Sequence, residues 1–181
     1  MRMKVLLTGA VVLLVAALTA GWYLRFGKAD VKGLTVTGDR VRITGTEGRR
    51  VALHYGEEGL VERHRAARGA PWSEPRVLYR TGEYDCQSLT LATHEDTVAA
   101  IADFGYGCPA GSPPDYSIAA VASLDDLDDW DVKTVEGFDG WEHVRFSAEG
   151  DHVRFLYPTL DGTATLSWRS FWGFSEPDLN R

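Results

Sequence analysis

Residues 88–104 read SLTLATHEDTVAAIADF, and residues 116–135 read YSIAAVASLDDLDDWDVKTV. Small apolar and β-branched side chains dominate both stretches, and His94-Glu95-Asp96 breaks the first in two. The pattern predicts strands at 88–93, 97–104, 116–124 and 131–135, joined as one four-stranded antiparallel meander. Outward from it the same signal recurs at 34–37, 40–44, 50–55, 60–65 and 76–80, and again at 141–147, 152–157 and 163–168. Gly38-Asp39, Gly45, Glu47-Gly48, Glu58-Gly59, Glu149-Gly150 and Asp161-Gly162 punctuate these runs as turns. Short strands with frequent turns describe an all-β sandwich, barrel or propeller.

An internal repeat favours a propeller-like array. Trp72-Ser73-Glu74-Pro75 returns as Phe174-Ser175-Glu176-Pro177, and Trp130-Asp131-Val132 holds the comparable place between them. A period of about 50 residues suits a four-stranded blade with its loops. About three four-stranded antiparallel blades follow, over 31–81, 88–135 and 141–177. A β-sandwich explains the strand number equally well but leaves the repeated element unexplained.

Val5 to Leu24 is an apolar run of 20 residues, preceded by Arg2 and Lys4 and closed by Trp22, Tyr23 and Arg25. The length is that of a spanning helix, and longer than the apolar core of a cleaved signal. Trp22 and Tyr23 are placed as interfacial anchors. Leu18-Thr19-Ala20 is a poor cleavage site because Leu stands where a small residue is preferred. Two readings stay open for residues 1–28: an uncleaved N-terminal hydrophobic helix with the domain outside, or a secretory signal. Both place residues 29–181, a single all-β domain, beyond the cytoplasm, as a single-pass membrane protein or a secreted one.

Four of the 19 basic residues lie in the leader and none of the 26 acidic ones do, so the remainder carries about −11. That charge excludes nucleic acid and anionic lipid as partners for the surface as a whole. Fifteen arginines against four lysines, with Asn180 the only asparagine, point to a GC-rich bacterial genome. Cys86 and Cys108 would meet if 86–108 folds as a hairpin around His94-Glu95-Asp96. In an oxidising compartment they predict a structural disulfide worth about 3 kcal/mol.

Ser123-Leu124-Asp125-Asp126-Leu127-Asp128-Asp129-Trp130 resembles the Asp-box of bacterial neuraminidase repeats, S-x-D-x-G-x-x-W. Ser123, Asp125 and Trp130 match, and Leu127 stands where Gly is expected. Gly69-Ala70-Pro71-Trp72 matches the second half of the box alone. The resemblance implies a sialidase-like β-propeller with the box between the third and fourth strands of a blade. There Ser and Asp would satisfy turn amides while Trp packs between sheets, a structural role and not a catalytic one. No family catalytic motif maps onto the chain.

No G-x-S-x-G, H-E-x-x-H or phosphate loop occurs. No cofactor or metal is expected: the acidic run 125–131 lacks the glycine and terminal glutamate of a calcium loop. One local conflict points to a binding site. A turn at Glu149-Gly150 would set Arg145 directly opposite Arg154, with His143 and His152 nearby, on the face away from Val144, Phe146, Val153 and Phe155. Like charges opposed across strands destabilise a sheet unless carboxylates pair with them, or unless they hold an anionic group of a partner. The function expected is an exported or membrane-tethered binding or scaffold module for a cell-envelope glycan or protein. A carbohydrate-active hydrolase and a structural envelope protein are the alternatives. Open sheet edges also allow a homodimer, with Phe171, Trp172 and Phe174 at its seam.

Overall fold

A computed structural model describes residues 30–82, 86–105, 114–137 and 139–179. Residues 31–181 form one compact unit. It is all-β, and its described residues form three antiparallel sheets, none of them closed. The apolar leader lies outside the described residues. Among those described, no helix is long and apolar enough to cross a membrane.

Three meanders succeed one another along the chain. The first sheet is β2 (Arg40–Thr44), β3 (Arg50–Gly56), β4 (Gly59–Arg65) and β5 (Arg76–Arg80). The middle sheet is β6 (Cys86–His94), β7 (Thr97–Gly105), β8 (Tyr116–Ser123) and β9 (Asp126–Glu136). The third is β10 (His143–Phe146), β11 (His152–Thr159), β12 (Gly162–Arg169) and β13 (Gly173–Phe174). One strand breaks the pattern. β1 (Leu34–Thr37) leaves the first sheet and pairs with β6, from Leu34↔Thr93 to Thr37↔Thr90, so the middle sheet has five strands.

The middle sheet lies between the other two. Ala100, Ala102, Phe104, Ile118, Ala120 and Ala122 face the first sheet in one core. Ala99, Ile101, Ala119 and Val121 face the third sheet in a second core. Antiparallel strands usually leave one face in water; β7 and β8 are covered on both, which is why their sequences run apolar without alternating. Alanine fills so many of these positions because side chains from two outer sheets must also fit.

The recurring aromatic-Ser-Glu-Pro element does one mechanical job twice. Ser73 donates its N–H to the His64 carbonyl at 2.8 Å, and its Oγ accepts the His64 N–H at 2.9 Å. Ser175 makes the same pair of bonds with Ser167, at 2.8 and 3.3 Å. Each serine thus docks onto the third strand of its meander. The two sites differ in face, however. His64 points inward with Glu62 beneath Leu53 and Val51, whereas Ser167 lies beside Arg154 on the outer face. In a pleated strand a one-residue offset reverses every side chain. Phe174 therefore packs into the core at 5.9 Å from Phe155, not at an exposed seam, and Trp72 is sent outside.

The Cys86–Cys108 expectation falls on residue 108, outside the described residues; the Cys86 backbone pairs with Gly105. The hairpin joining β10 and β11 keeps the expected register, with Arg145 opposite Arg154 and Phe146 opposite Val153. Its turn is different. The Gly150 N–H bonds the Ser147 carbonyl at 3.1 Å, so Ala148-Glu149 are the central residues and Gly150 follows at φ +76°. The turn grows symmetrically about the same axis, so the pairing is unchanged.

Two carboxylates sit within the stack. Glu62 is 1% exposed and accepts from His64 Nδ1 at 3.0 Å; burial raises its pKa, opposed by His64 and Arg76. Asp103 accepts the Ser117 hydroxyl at 2.5 Å, and burial pushes its pKa from 3.8 up to about 6. The folded chain thus holds the Asp103 proton more firmly than the unfolded chain does. This contribution favours folding below about pH 4, is lost as pH rises to about 6, and stays lost above that. Asp103→Asn keeps an oxygen for Ser117 and removes the buried charge. It should stabilise the protein by about 1–2 kcal/mol at pH 7.5 and flatten the slope of stability between pH 4 and 6. Chemical denaturation at several pH values checks this, and an unchanged slope would reject the assignment.

Candidate functional site

Arginine alternates with apolar residues in β2, and with Glu62 and His64 in β4. Val41 and Ile43 enter the core, so Arg40 and Arg42 point outward. In β4, Leu60 and Glu62 face inward, so Arg63 and Arg65 face outward. Register then assembles an array on the outer face of the first sheet. Arg40 is opposite His54, Arg42 lies across Ala52 from Arg63, and Arg50 is opposite Arg65. Ala52 is too short to fill the middle row. A cleft of about 510 Å³ opens over it, lined by Arg40, Arg42, His54, Arg63 and Trp72.

Trp72 orders the array. Its ring lies 5.3 Å from the Arg42 guanidinium carbon and 4.7 Å from that of Arg65, within cation–π range. Arg63 Nε donates to the Ser73 carbonyl at 2.9 Å. These contacts hold guanidinium groups without neutralising them. Among the described residues, arginine–carboxylate ion pairs involve Arg49, with Glu47 and Asp125, and Arg80, with Glu58; none reaches the five arginines of this face. The His54 pKa is lowered by burial first, then by Arg40 and Arg63. A strongly acidic chain thus carries a concentrated, unneutralised positive face. Such a face is suited to oxyanions, which guanidinium groups bind in a planar, two-point geometry.

The third sheet places the residues singled out from the sequence on one face, as expected, but in a different setting. Arg145 donates to the Val144 carbonyl at 3.1 Å. His143 is exposed beside Glu142, at 3.9 Å. His152 is partly buried, and its pKa is lowered by burial and by Arg169, against the opposing pull of Asp151. Carboxylates therefore accompany this patch, whereas among the described residues none is paired with the five arginines on the first sheet.

At 123–130, Ser123 Oγ accepts the Asp125 N–H at 3.1 Å. The Asp125 carboxylate takes the Arg49 side chain rather than a turn amide. Trp130 Nε1 donates to the Leu127 carbonyl at 3.0 Å, and the ring packs against the first core. The segment runs from the last residue of β8, through the turn at Leu124-Asp125, into the first residues of β9, and so joins the last two strands of its meander. Among the described residues, no three His, Cys, Asp or Glu side chains gather as metal ligands.

The arginine face was signalled in the sequence by Arg40-x-Arg42 and Arg63-x-Arg65, charges at strand period in an acidic chain. Comparison with family models, with curated proteins and with solved structures returns no match to the chain.

Proposed function

We propose that this protein is an exported, membrane-tethered, propeller-like binding module, and that its ligand is a cell-envelope glycan bearing carboxylate or phosphate groups. The observation that carries this reading is the cleft over Ala52, walled by Arg40, Arg42, Arg63 and Trp72, with no carboxylate among the described residues paired to its arginines. Neighbouring strands are about 4.8 Å apart, and alternate residues along a strand about 6.7 Å. The guanidinium groups form a grid on that scale, which suits several anions on one polymer better than a single ion. The apolar leader supports the location, and three successive meanders with an Asp-box-like turn support the propeller-like architecture. A bond between Cys86 and Cys108 belongs to the same reading, so alkylation of the native exported protein should label neither cysteine.

Polygalacturonate is a suitable probe because it is a linear glycan with one carboxylate per sugar. The full-length protein should bind it at low ionic strength and release it as salt rises. Binding should raise the His54 pKa, because an anion beside the imidazole favours its charged form. The double variant Arg42→Gln, Arg63→Gln should lose at least tenfold in affinity while retaining its melting temperature. Equal affinity in that variant, or equal binding to uncharged dextran, would reject the site.

A further inference from the structure

Phe171 and Trp172 stand at the tip of the β12–β13 hairpin, 91% and 84% exposed. A single exposed apolar residue is ordinary, but two adjacent large aromatics held in water mark a contact surface. The tip is ordered. The Trp172 N–H bonds the Arg169 carbonyl at 3.0 Å, and the Ser170 N–H bonds the Asp151 carbonyl at 3.1 Å. The second bond ties the tip to the turn that joins β10 and β11.

The place where the chain enters the domain lies at this same end. Val31 forms an antiparallel bridge with Phe146, which pairs with Val153, which pairs with Trp168. Strand directions then put residue 30, the turn at 147–152 and the tip at 170–172 beyond the same row. Six residues, Arg25 to Asp30, separate the apolar run from Val31. Fully extended they span about 20 Å.

We propose that Phe171 and Trp172 lie in the interfacial layer of the bilayer that holds the apolar run, so that the domain stands on the membrane on this turn. The proposal rests on the reading of 5–24 as an uncleaved anchor. Trp combines an apolar body with a polar N–H and belongs at headgroup depth, and Phe adds apolar area beside it. The short tether brings this end of the domain within reach of the surface. Glu149 and Asp151 lie at the same end, with Arg169, so a zwitterionic headgroup layer suits it better than an anionic one. The sheets pack face to face, so the arginine face is turned sideways and stays open.

The test uses the full-length protein in phosphatidylcholine vesicles whose acyl chains are brominated near the headgroup, comparing wild type, Trp22→Phe and Trp172→Phe. The expected result is that each substitution removes a distinct quenched component. Flotation with the vesicles and quenching of Trp22, with the same quenched component in Trp172→Phe as in wild type, would overturn the proposal and leave the anchor standing. An absence of both flotation and Trp22 quenching would overturn the anchor reading and the proposal with it. Emission from Trp172 that is blue-shifted, insensitive to bromine and reversed by dilution would mean that a second copy covers the turn, which also overturns it.

Discussion

Phe104→Ala lowers the unfolding free energy by about 4 kcal/mol and the melting temperature by roughly 8–16 °C. Phe104 is fully buried on β7 and is an aromatic link between the middle and first sheets. The Tyr55 ring meets it edge-on at 4.9 Å, and the Tyr79 ring lies 5.5 Å away. Truncation loses the transfer energy of the ring and leaves a cavity between two sheets, each stiffened by its own backbone pairing. Tyr55 cannot collapse into the space, because its hydroxyl donates to the Ser88 carbonyl at 2.5 Å. Thermal unfolding measures the effect, with Trp172→Ala as the comparison. Trp172 is 84% exposed, so its loss should change stability by about 0.5 kcal/mol or less in detergent or buffer. Equal effects from the two substitutions would mean that the sheets do not pack through Phe104.

Gly59→Ala costs about 3 kcal/mol or more. Gly59 opens β4 at φ +119°, and a Cβ built on it would lie 2.1 Å from the Tyr79 carbonyl oxygen and 2.9 Å from the Thr81 nitrogen. Both atoms are backbone, and Gly59 is paired with Arg80 across the β4–β5 ladder, so neither can move without opening the sheet. Gly69→Ala separates strain from collision. Gly69 has φ +85° but nothing within 4 Å of the added carbon, so it should cost only about 1 kcal/mol. Denaturant midpoints give the comparison. Similar losses at both positions would show that backbone conformation alone is responsible and that β5 yields.

Most of the strands were legible because strand runs and turn residues are local signals. β9 begins earlier than expected, at Asp126, because the acidic run is drawn into a ladder with Ser123 across a bulge. The two-residue strand Gly173–Phe174 was missed because two residues carry no period. The Arg145–Arg154 pairing was also readable: register in a hairpin depends on its axis, and the longer turn preserved that axis.

The arginine face was less legible. Arg40, Arg42, Arg63 and Arg65 are visible as alternating charges, but no local rule says that they meet. Their meeting depends on β2 and β4 flanking β3, on Ala52 leaving the middle row low, and on Trp72 folding over the outside. The same aromatic-Ser-Glu-Pro element sends Trp72 outward and Phe174 inward, through an offset of one residue that appears only when the strands pair.

The sequence by itself determined the all-β class, the succession of three meanders and the faces of single hairpins, because turn chemistry and period-two patterning act within a few residues. The tertiary structure alone decided that β1 crosses to the middle sheet, that this sheet is covered on both faces, and that three arginines from two separate strands share one cleft with a tryptophan. Each of those outcomes depends on pairing and packing between residues far apart in the chain. A local pattern constrains which face of a strand is apolar, but not which sheet will cover it.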